Sequence, residues 1–239
     1  IDNNCNLVVS TNNGIYKSLL GEDGNPLNYK ENIFRNVDFN NDISNFDIWK
    51  EPSFLYTPIS YKFEKNLYLE GHFQSEKYFK HNKEKILSFF KCPAKTKKYI
   101  LSKYSKYLNE ENVSIHIRRG DYLVASDHHP SCTVEYYRES INKYFDSTKY
   151  ILVFSDDIPW TKTVFKGDKY IFIENEEDYV DMYLMSMCKN NIIANSTFSW
   201  WGAWLNTNPD KIVIAPKIWF GPANQSDTTD LIPKEWIRI

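Results

Sequence analysis

The second half of the chain alternates short apolar runs with amphipathic segments, and no other feature narrows the possible folds as much. Val113-Ser114-Ile115-His116-Ile117-Arg118 alternates with period two, which puts Val113, Ile115 and Ile117 on one face of a strand. Tyr150-Ile151-Leu152-Val153-Phe154 and Tyr170-Ile171-Phe172-Ile173 are continuous apolar runs, the pattern of strands covered on both faces. Asn191-Ile192-Ile193-Ala194 and Lys211-Ile212-Val213-Ile214-Ala215 read as further strands. Helical stretches separate them. Thr133 to Phe145 carries Val134, Tyr137, Ile141 and Tyr144 on one side, and Glu177 to Cys188 turns Tyr179 or Val180, Tyr183, Leu184 and Met187 inward; Ser199 to Leu205 is a third. Strands joined by helices pair in parallel through right-handed crossovers, so the sequence predicts a doubly wound α/β sheet.

The first half is less regular. Leu7-Val8-Val9 reads as a strand, with turn chemistry at Asn12-Asn13-Gly14 and from Gly21 to Pro26. Asp38 to Asp47 is polar enough for a surface loop, and Leu67-Tyr68-Leu69 is extended up to Gly71. From Ser75 the period becomes helical, with Phe79, Ile86, Leu87 and Phe90 on one face until Cys92-Pro93 stops it. A second helix carries Ile100, Tyr104, Tyr107 and Leu108. A division into residues 1–110 and 111–239 is expected around Asn109-Glu110-Glu111-Asn112.

Bulk properties exclude some functions. A chain of 239 residues with a net charge of −2 has no general attraction for nucleic acid or an anionic membrane, so a phosphate ligand has to be met by local cations and backbone amides. Cys5, Cys92, Cys132 and Cys188 are widely spaced with no CxxC pair, against a disulfide scaffold or zinc site and in keeping with a reduced, intracellular setting. No apolar run has the length of a membrane span, and no charged-then-apolar leader opens the chain. It begins Ile1-Asp2-Asn3-Asn4, without an initiator Met. The 16% aromatic share is expected mostly in packing rather than sugar stacking.

In an open parallel sheet, ligands bind beyond the carboxyl ends of the strands, and here those ends carry unusual polar chemistry. Arg118-Arg119-Gly120-Asp121 follows one strand, Ser155-Asp156-Asp157 a second, Glu174 a third and Asn195-Ser196-Thr197-Phe198-Ser199 a fourth. His116 and Arg118, two apart on a strand, point to one face, and an arginine fork on a rigid strand end suits bidentate phosphate capture. Gly120 permits a close turn, and Asp121 is placed to orient an arginine. The helix start at Ser196 to Ser199 offers free amides to an anion. Asp156 and Asp157 lack the spaced Asp-x-Asp form of many metal-dependent transferases, so a structural role, or hydrogen bonds to ribose or guanine, is expected and no metal. Asp181 reads either as a hydrogen-bond acceptor for a guanine edge or as a solvated helix residue. Asp121, Asp127, His128 and His129 are the candidates for a general base. No Ser-His-Asp order, HExxH or Walker-type glycine loop occurs, so hydrolase, zincin and kinase readings lack support.

Three of these stretches, Ser114 to Tyr122, Phe154-Ser155-Asp156-Asp157 and Ile193 to Leu205 (IANSTFSWWGAWL), strongly resemble glycosyltransferase family 11, the α-1,2-fucosyltransferases. Phe73 to Phe79 and Leu231 to Ile237 resemble further family segments, so the likeness runs from about residue 67 to the end. It implies a GT-B-like fold of two Rossmann-like domains: 1–110 on the acceptor side and 111–239 binding the GDP-sugar. It also implies GDP-fucose as donor, a glycan acceptor, inversion at the sugar carbon, and neither metal nor other cofactor. By position, Arg118 resembles the arginine that grips the donor diphosphate, with Arg119 assisting. Asn195, Ser196, Thr197, Phe198 and Ser199 match the phosphate-binding helix start, His116 and Asp181 resemble positions near the guanine, and Asp156 joins the donor set. The family's opening Gly-Gly-Leu-Gly-Asn-Gln loop does not occur in this sequence; a real gap would leave the N-terminal domain without a strand and its acceptor-side loop, while a sequence that only starts after that loop would leave the enzyme intact. Rival readings are a transferase for another GDP- or UDP-linked sugar, a non-catalytic carbohydrate-binding protein, and an inactive remnant. Asn195-Ser196-Thr197 is also an N-glycosylation sequon inside the proposed donor loop, so a cytoplasmic location, with loose membrane association for a lipid-linked acceptor, is expected.

Overall fold

The computed structural model describes residues 8–9, 29–39, 45–60 and 66–239, and divides the chain into two units. The first comprises Ile1–Pro93 with Thr229–Leu231, the second Ala94–Thr228 with Ile232–Ile239. The leading strand reading holds for β1 (Val8–Val9), which pairs in parallel with β2 (Asp38–Phe39). A second parallel pair joins β3 (Phe46–Lys50) to β4 (Asn66–Glu70). The loop expected over Asp38 to Asp47 is therefore wrong at both ends; its middle, like the turns at 12–14 and 21–26, lies outside the described residues. The helix expected from Ser75 is likewise broken. Two 3-10 turns, Glu76–Tyr78 and Lys80–Asn82, precede a short α1 (Lys83–Phe89), the first of them capped by the Ser75 hydroxyl. Asp230 ties its segment to this unit, accepting from Tyr56 N at 3.1 Å and pairing with Lys77.

The second unit holds the predicted α/β sheet. Its helices are α2 (Ala94–Leu108), α3 (Val134–Tyr144), α4 (Ile158–Val164), α5 (Asp178–Met187) and α6 (Thr197–Trp204). Its strands are β5 (Asn112–Ile117), β6 (Tyr150–Ser155), β7 (Tyr170–Phe172), β8 (Asn190–Ile192), β9 (Val213–Ala215) and β10 (Ile237–Arg238). The six strands are all parallel, in the order β10-β9-β8-β5-β6-β7. The chain thus starts in the middle, winds outward one way to β7, and returns to β5's other side for β8. That reversal is the topological switch point of a Rossmann-type sheet. The division between units falls at Pro93 rather than near residue 110. α2 belongs to the second unit, where Ile100 and Tyr104 are buried and the Tyr104 hydroxyl donates to Glu176 Oε1 at 2.6 Å.

One face of the sheet packs Val113, Ile115, Ile117, Ile151, Val153, Ile192 and Ile214 against Tyr137 and Ile141 of α3 and against Phe165. Each such fully buried aliphatic side chain contributes about 1.5–3 kcal/mol. β5's other face is buried too, although its residues, Asn112, Ser114 and His116, are polar. Ser114 survives there because its Oγ accepts from Asn191 Nδ2 at 2.7 Å, while Asn191 Oδ1 accepts from Asn206 Nδ2 at 2.8 Å. Among the described residues no helix is long and apolar enough to cross a membrane.

The tryptophans of α6 are packing residues, as expected. Trp200 and Trp204 are buried, and Trp200 also meets Trp236 with ring centroids 5.5 Å apart. Gly202 serves a helix–helix contact, since a Cβ there would lie 3.1 Å from Met185 Cβ on α5. Replacing Gly202 by Val is expected to lower stability by about 1–3 kcal/mol through overpacking, seen as a lower urea midpoint at unchanged m-value.

Candidate functional site

The register of β5 and β8 decides what meets at the switch point. Ile115 pairs with Ile192, so Arg118 and Asn195, each three residues further on, leave the sheet at the same level. Two contacts join these ends. The His116 ring packs against Phe198 with centroids 5.4 Å apart, and the Tyr122 hydroxyl donates to Asn195 O at 2.9 Å. The Arg118 guanidinium carbon lies 5.7 Å from the centre of the Tyr122 ring. The arginine and the start of α6 therefore border one crevice.

Asp156 shapes the arginine turn. Its Oδ1 accepts from Arg119 N at 2.9 Å and its Oδ2 from Gly120 N at 3.0 Å, with Arg118 Nε 3.2 Å from Oδ2. A Cβ on residue 120 would come 2.8 Å from Asp156 Oδ2, so the close approach needs glycine. Arg118 Nε also donates to Asp121 Oδ1 at 2.9 Å, which gives Asp121 the orienting contact the sequence suggested. Arg119 goes the other way. It donates through Nε to Asp157 Oδ2 at 3.1 Å and lies 3.8 Å over the Trp160 ring. Consecutive residues leaving a strand point to opposite sides, so only one arginine of the pair borders the crevice. Asp157 is further occupied as the N-cap of α4, accepting from Trp160 N at 3.1 Å. Lys162 engages Glu174 at 2.6 Å. Among the described residues no three His, Cys, Asp or Glu side chains are grouped to hold a metal ion.

The start of α6 is arranged differently from an ordinary capped helix. Ser196, its N-cap, makes no side-chain cap bond, and the first intrahelical bond runs from Trp200 N to Ser196 O at 3.0 Å. The amides of Thr197, Phe198 and Ser199 therefore have no partner within the helix and favour an anion there. Thr197 is exposed, with Ser196 and Phe198 partly so. Two side chains of the predicted set are not available to a ligand. Ser199 is buried, its hydroxyl donating to Ser196 O at 3.2 Å. Asn195 is 1% exposed and donates through Nδ2 to both Pro130 O and Trp219 O at 2.9 Å, while the Cys132 thiol reaches its Oδ1. Asn195 is a latch between loops.

His116 and Asp181 share a feature that packing does not require: each holds a buried polar atom, Nδ1 and Oδ1, without a partner. Burial, with the Arg118 charge adding to it, lowers the His116 pKa to about 3, so the ring is neutral at pH 7. Burial, with Glu176 and Asp178 nearby, raises the Asp181 carboxyl to about 8, so at neutral pH it is mostly a protonated donor rather than the carboxylate acceptor expected. Asp181 sits in the first turn of α5, behind a tight reversal in which Asn175 takes φ 57°. Glu176 anchors that reversal to α2 by accepting from the Tyr99, Lys103 and Tyr104 side chains. Tyr122, Trp160 and Glu176 escaped the sequence reading. A cavity of about 660 Å³ exists elsewhere, at the opposite ends of the strands beside Glu111, Lys189 and Asp210. The switch point differs from that cavity in its amide donors at the start of α6, which have no partner within the helix.

A Rossmann-type sheet with an arginine and an uncapped helix start across its switch point has the geometry that suits an anion. The chain belongs to glycosyl transferase family 11, whose model matches residues 27–239. It is 44% identical over 140 residues to the O-antigen biosynthesis glycosyltransferase WbnK of Escherichia coli, covering 55% of this chain and 45% of that protein. It is 41% identical over 184 residues to an alpha-1,2-colitosyltransferase of Escherichia coli, covering 71% of this chain and 61% of the relative. The chain thus spans roughly half the length of these relatives. Among solved structures, POFUT1 in complex with GDP aligns with a TM-score of 0.44 at 14% identity, over 54% of this chain and 48% of that one. NodZ alpha-1,6-fucosyltransferase soaked with GDP-fucose aligns at 0.42 and 15%, over 62% and 54%.

Two substitutions test this geometry. Asp156→Ala removes the acceptor of two turn amides and should cost about 1–3 kcal/mol in denaturant unfolding, with GDP affinity falling as Arg118 loses its orientation. Asp181→Asn should raise stability at pH 7. The folded pKa lies above the unfolded one, so the parent is destabilised as pH rises from about 4 to 8 and is level beyond; the amide variant should lack that slope in melts across the range.

Proposed function

We propose that this chain transfers L-fucose from GDP-fucose to a glycan hydroxyl with inversion, making an α-1,2 linkage. What supports the reading is that Arg118 and the uncapped start of α6 leave neighbouring strands at one level beside the β5–β8 switch point. Family membership supports the reaction class, and the name of a further relative, the galactoside 2-alpha-L-fucosyltransferase of Caenorhabditis elegans, 25% identical over 223 residues, supports linkage and sugar. The neutral His116 ring and the protonated Asp181 carboxyl offer hydrogen bonds to a nucleotide base without adding charge.

In the step this geometry serves, the acceptor oxygen attacks the anomeric carbon while the bond to the diphosphate breaks. Charge grows on the leaving phosphate, where Arg118 and the amides of Thr197 to Ser199 stabilise it. Each well-placed donor of this kind is worth roughly 3–4 kcal/mol. Arg118 is engaged beforehand by Asp121 and Asp156, so the diphosphate enters by replacing a carboxylate. Asp121, 62% exposed in its side chain, is the partner that can leave; Asp156 is held by the turn amides.

A second reading changes only the sugar. A relative at 41% identity is named an alpha-1,2-colitosyltransferase, and the residues assembled above address the diphosphate and base rather than the hexose. Comparing GDP-fucose with GDP-colitose as donors separates the two. Arg118→Ala should lower kcat/KM at least 100-fold while the thermal transition stays cooperative, and calorimetry should show GDP binding far more tightly than UDP. Near-parent turnover by the variant would remove Arg118 from the mechanism. Glycan binding that ignores GDP and survives the substitution would instead mark a carbohydrate-binding protein.

A further inference from the structure

Glycosyl transfer needs an acceptor for the proton of the attacking hydroxyl, and one group at the rim is unused by every contact described so far. His129 lies on the loop between the arginine turn and α3. Its ring stacks on Tyr122, with centroids 5.2 Å apart and planes at 23°, and meets the Phe220 ring edge-on at 5.5 Å. The loop is pinned around it. Pro130 O accepts from Asn195, His128 O from Gly221 N and Asp127 O from Ala223 N, each at 2.9 Å. A Cβ on residue 221 would come 2.3 Å from Asp127 O, so this seating needs glycine. Within that rigid frame His129 Nδ1 is buried without a partner, and Nε2 is the nitrogen left accessible. A buried, unsatisfied ring nitrogen costs free energy that a plain packing role would not require.

We propose, on the reading that the chain transfers a sugar from a nucleoside diphosphate, that His129 Nε2 takes the proton from the attacking hydroxyl. Through the shared Tyr122 ring, the imidazole lies within about 11 Å of the Arg118 guanidinium. In an inverting displacement the leaving oxygen, the anomeric carbon and the attacking oxygen are in line. The base then stands across the carbon from the phosphate-binding arginine, on the far side from the leaving group. The acceptor oxygen's lone pair forms the new C–O bond, and the electron pair of the breaking bond stays on the diphosphate. The hydroxyl proton passes to Nε2 and from there to water.

The groups facing His129 are Asp121, Tyr122, His128 and Phe220. Burial holds its pKa below the usual histidine value and His128 adds to that, while Asp121 opposes both. The ring is therefore neutral and able to accept a proton at pH 7. Asp121, freed when a phosphate takes over Arg118, stabilises the imidazolium that forms.

The test uses the full chain with GDP-fucose, measuring GDP release with water alone and with lactose present, and GDP affinity by calorimetry. The parent rate should rise with pH through an apparent pKa under about 6.5 and then level. His129→Gln and His129→Ala should lower kcat about 100-fold or more, keep the GDP Kd within twofold, and lose the acid limb; added imidazole should restore part of the His129→Ala rate. A variant with near-parent kcat, a retained acid limb, or a lost GDP affinity overturns the assignment and leaves the donor reading standing. A parent that neither binds GDP nor releases it from GDP-fucose overturns both.

Discussion

The site exists because the chain reverses direction within its sheet. From β5 it lays down β6 and β7 on one side, then crosses back to place β8 on the other, so the loops leaving β5 and β8 part and leave a hollow between them. Side-chain chemistry then follows from strand geometry. The residue that leaves β5 toward the hollow is Arg118, and the next one, Arg119, must turn away and finds Asp157 and Trp160. Asp156 fixes this division by holding the two amides of the turn.

Charge bookkeeping gives the rim an unusual character. Arg118 and Arg119 face Asp121, Asp156 and Asp157, so no surplus cation waits for a ligand. Binding of a diphosphate there would exchange one set of charge-assisted hydrogen bonds for another, its net energy being the difference between them. The unopposed donors are the backbone amides of α6, which carry partial charge and no counterion. Such a site selects for an anion that satisfies both partners at once, and a single phosphate reaching only the arginine gains little over Asp121.

Much of the second unit was legible because its strands are covered on both faces and spell themselves as apolar runs. Where that signal fails, so did the reading. α4 is only seven residues long and carries Pro159; its true signature was Asp157 as an N-cap just ahead of that proline. β2 and β3 contain Asp38, Asp47 and Lys50, whose polarity imitates a loop. At the site, the residue types were readable but their directions were not. Arg119 and Asn195 stand in the motifs beside Arg118 and Ser196, yet both are consumed by the fold. Tyr122, Trp160 and Glu176 act through contacts that join segments up to 77 residues apart, which no local pattern encodes.

The latch at Asn195 has a consequence for making the protein. Its side-chain nitrogen is the atom an oligosaccharide would occupy in the Asn195-Ser196-Thr197 sequon, and in the folded chain that atom is sealed against Pro130 and Trp219. Oligosaccharides are added to nascent, unfolded chains, so in a eukaryotic secretory host the modification would compete directly with loop closure. Every chain modified first would be unable to seat the loop that carries His129. Production in a compartment without that machinery avoids the race and keeps the latch, whereas Asn195→Gln ends the modification but moves the amide off both carbonyls.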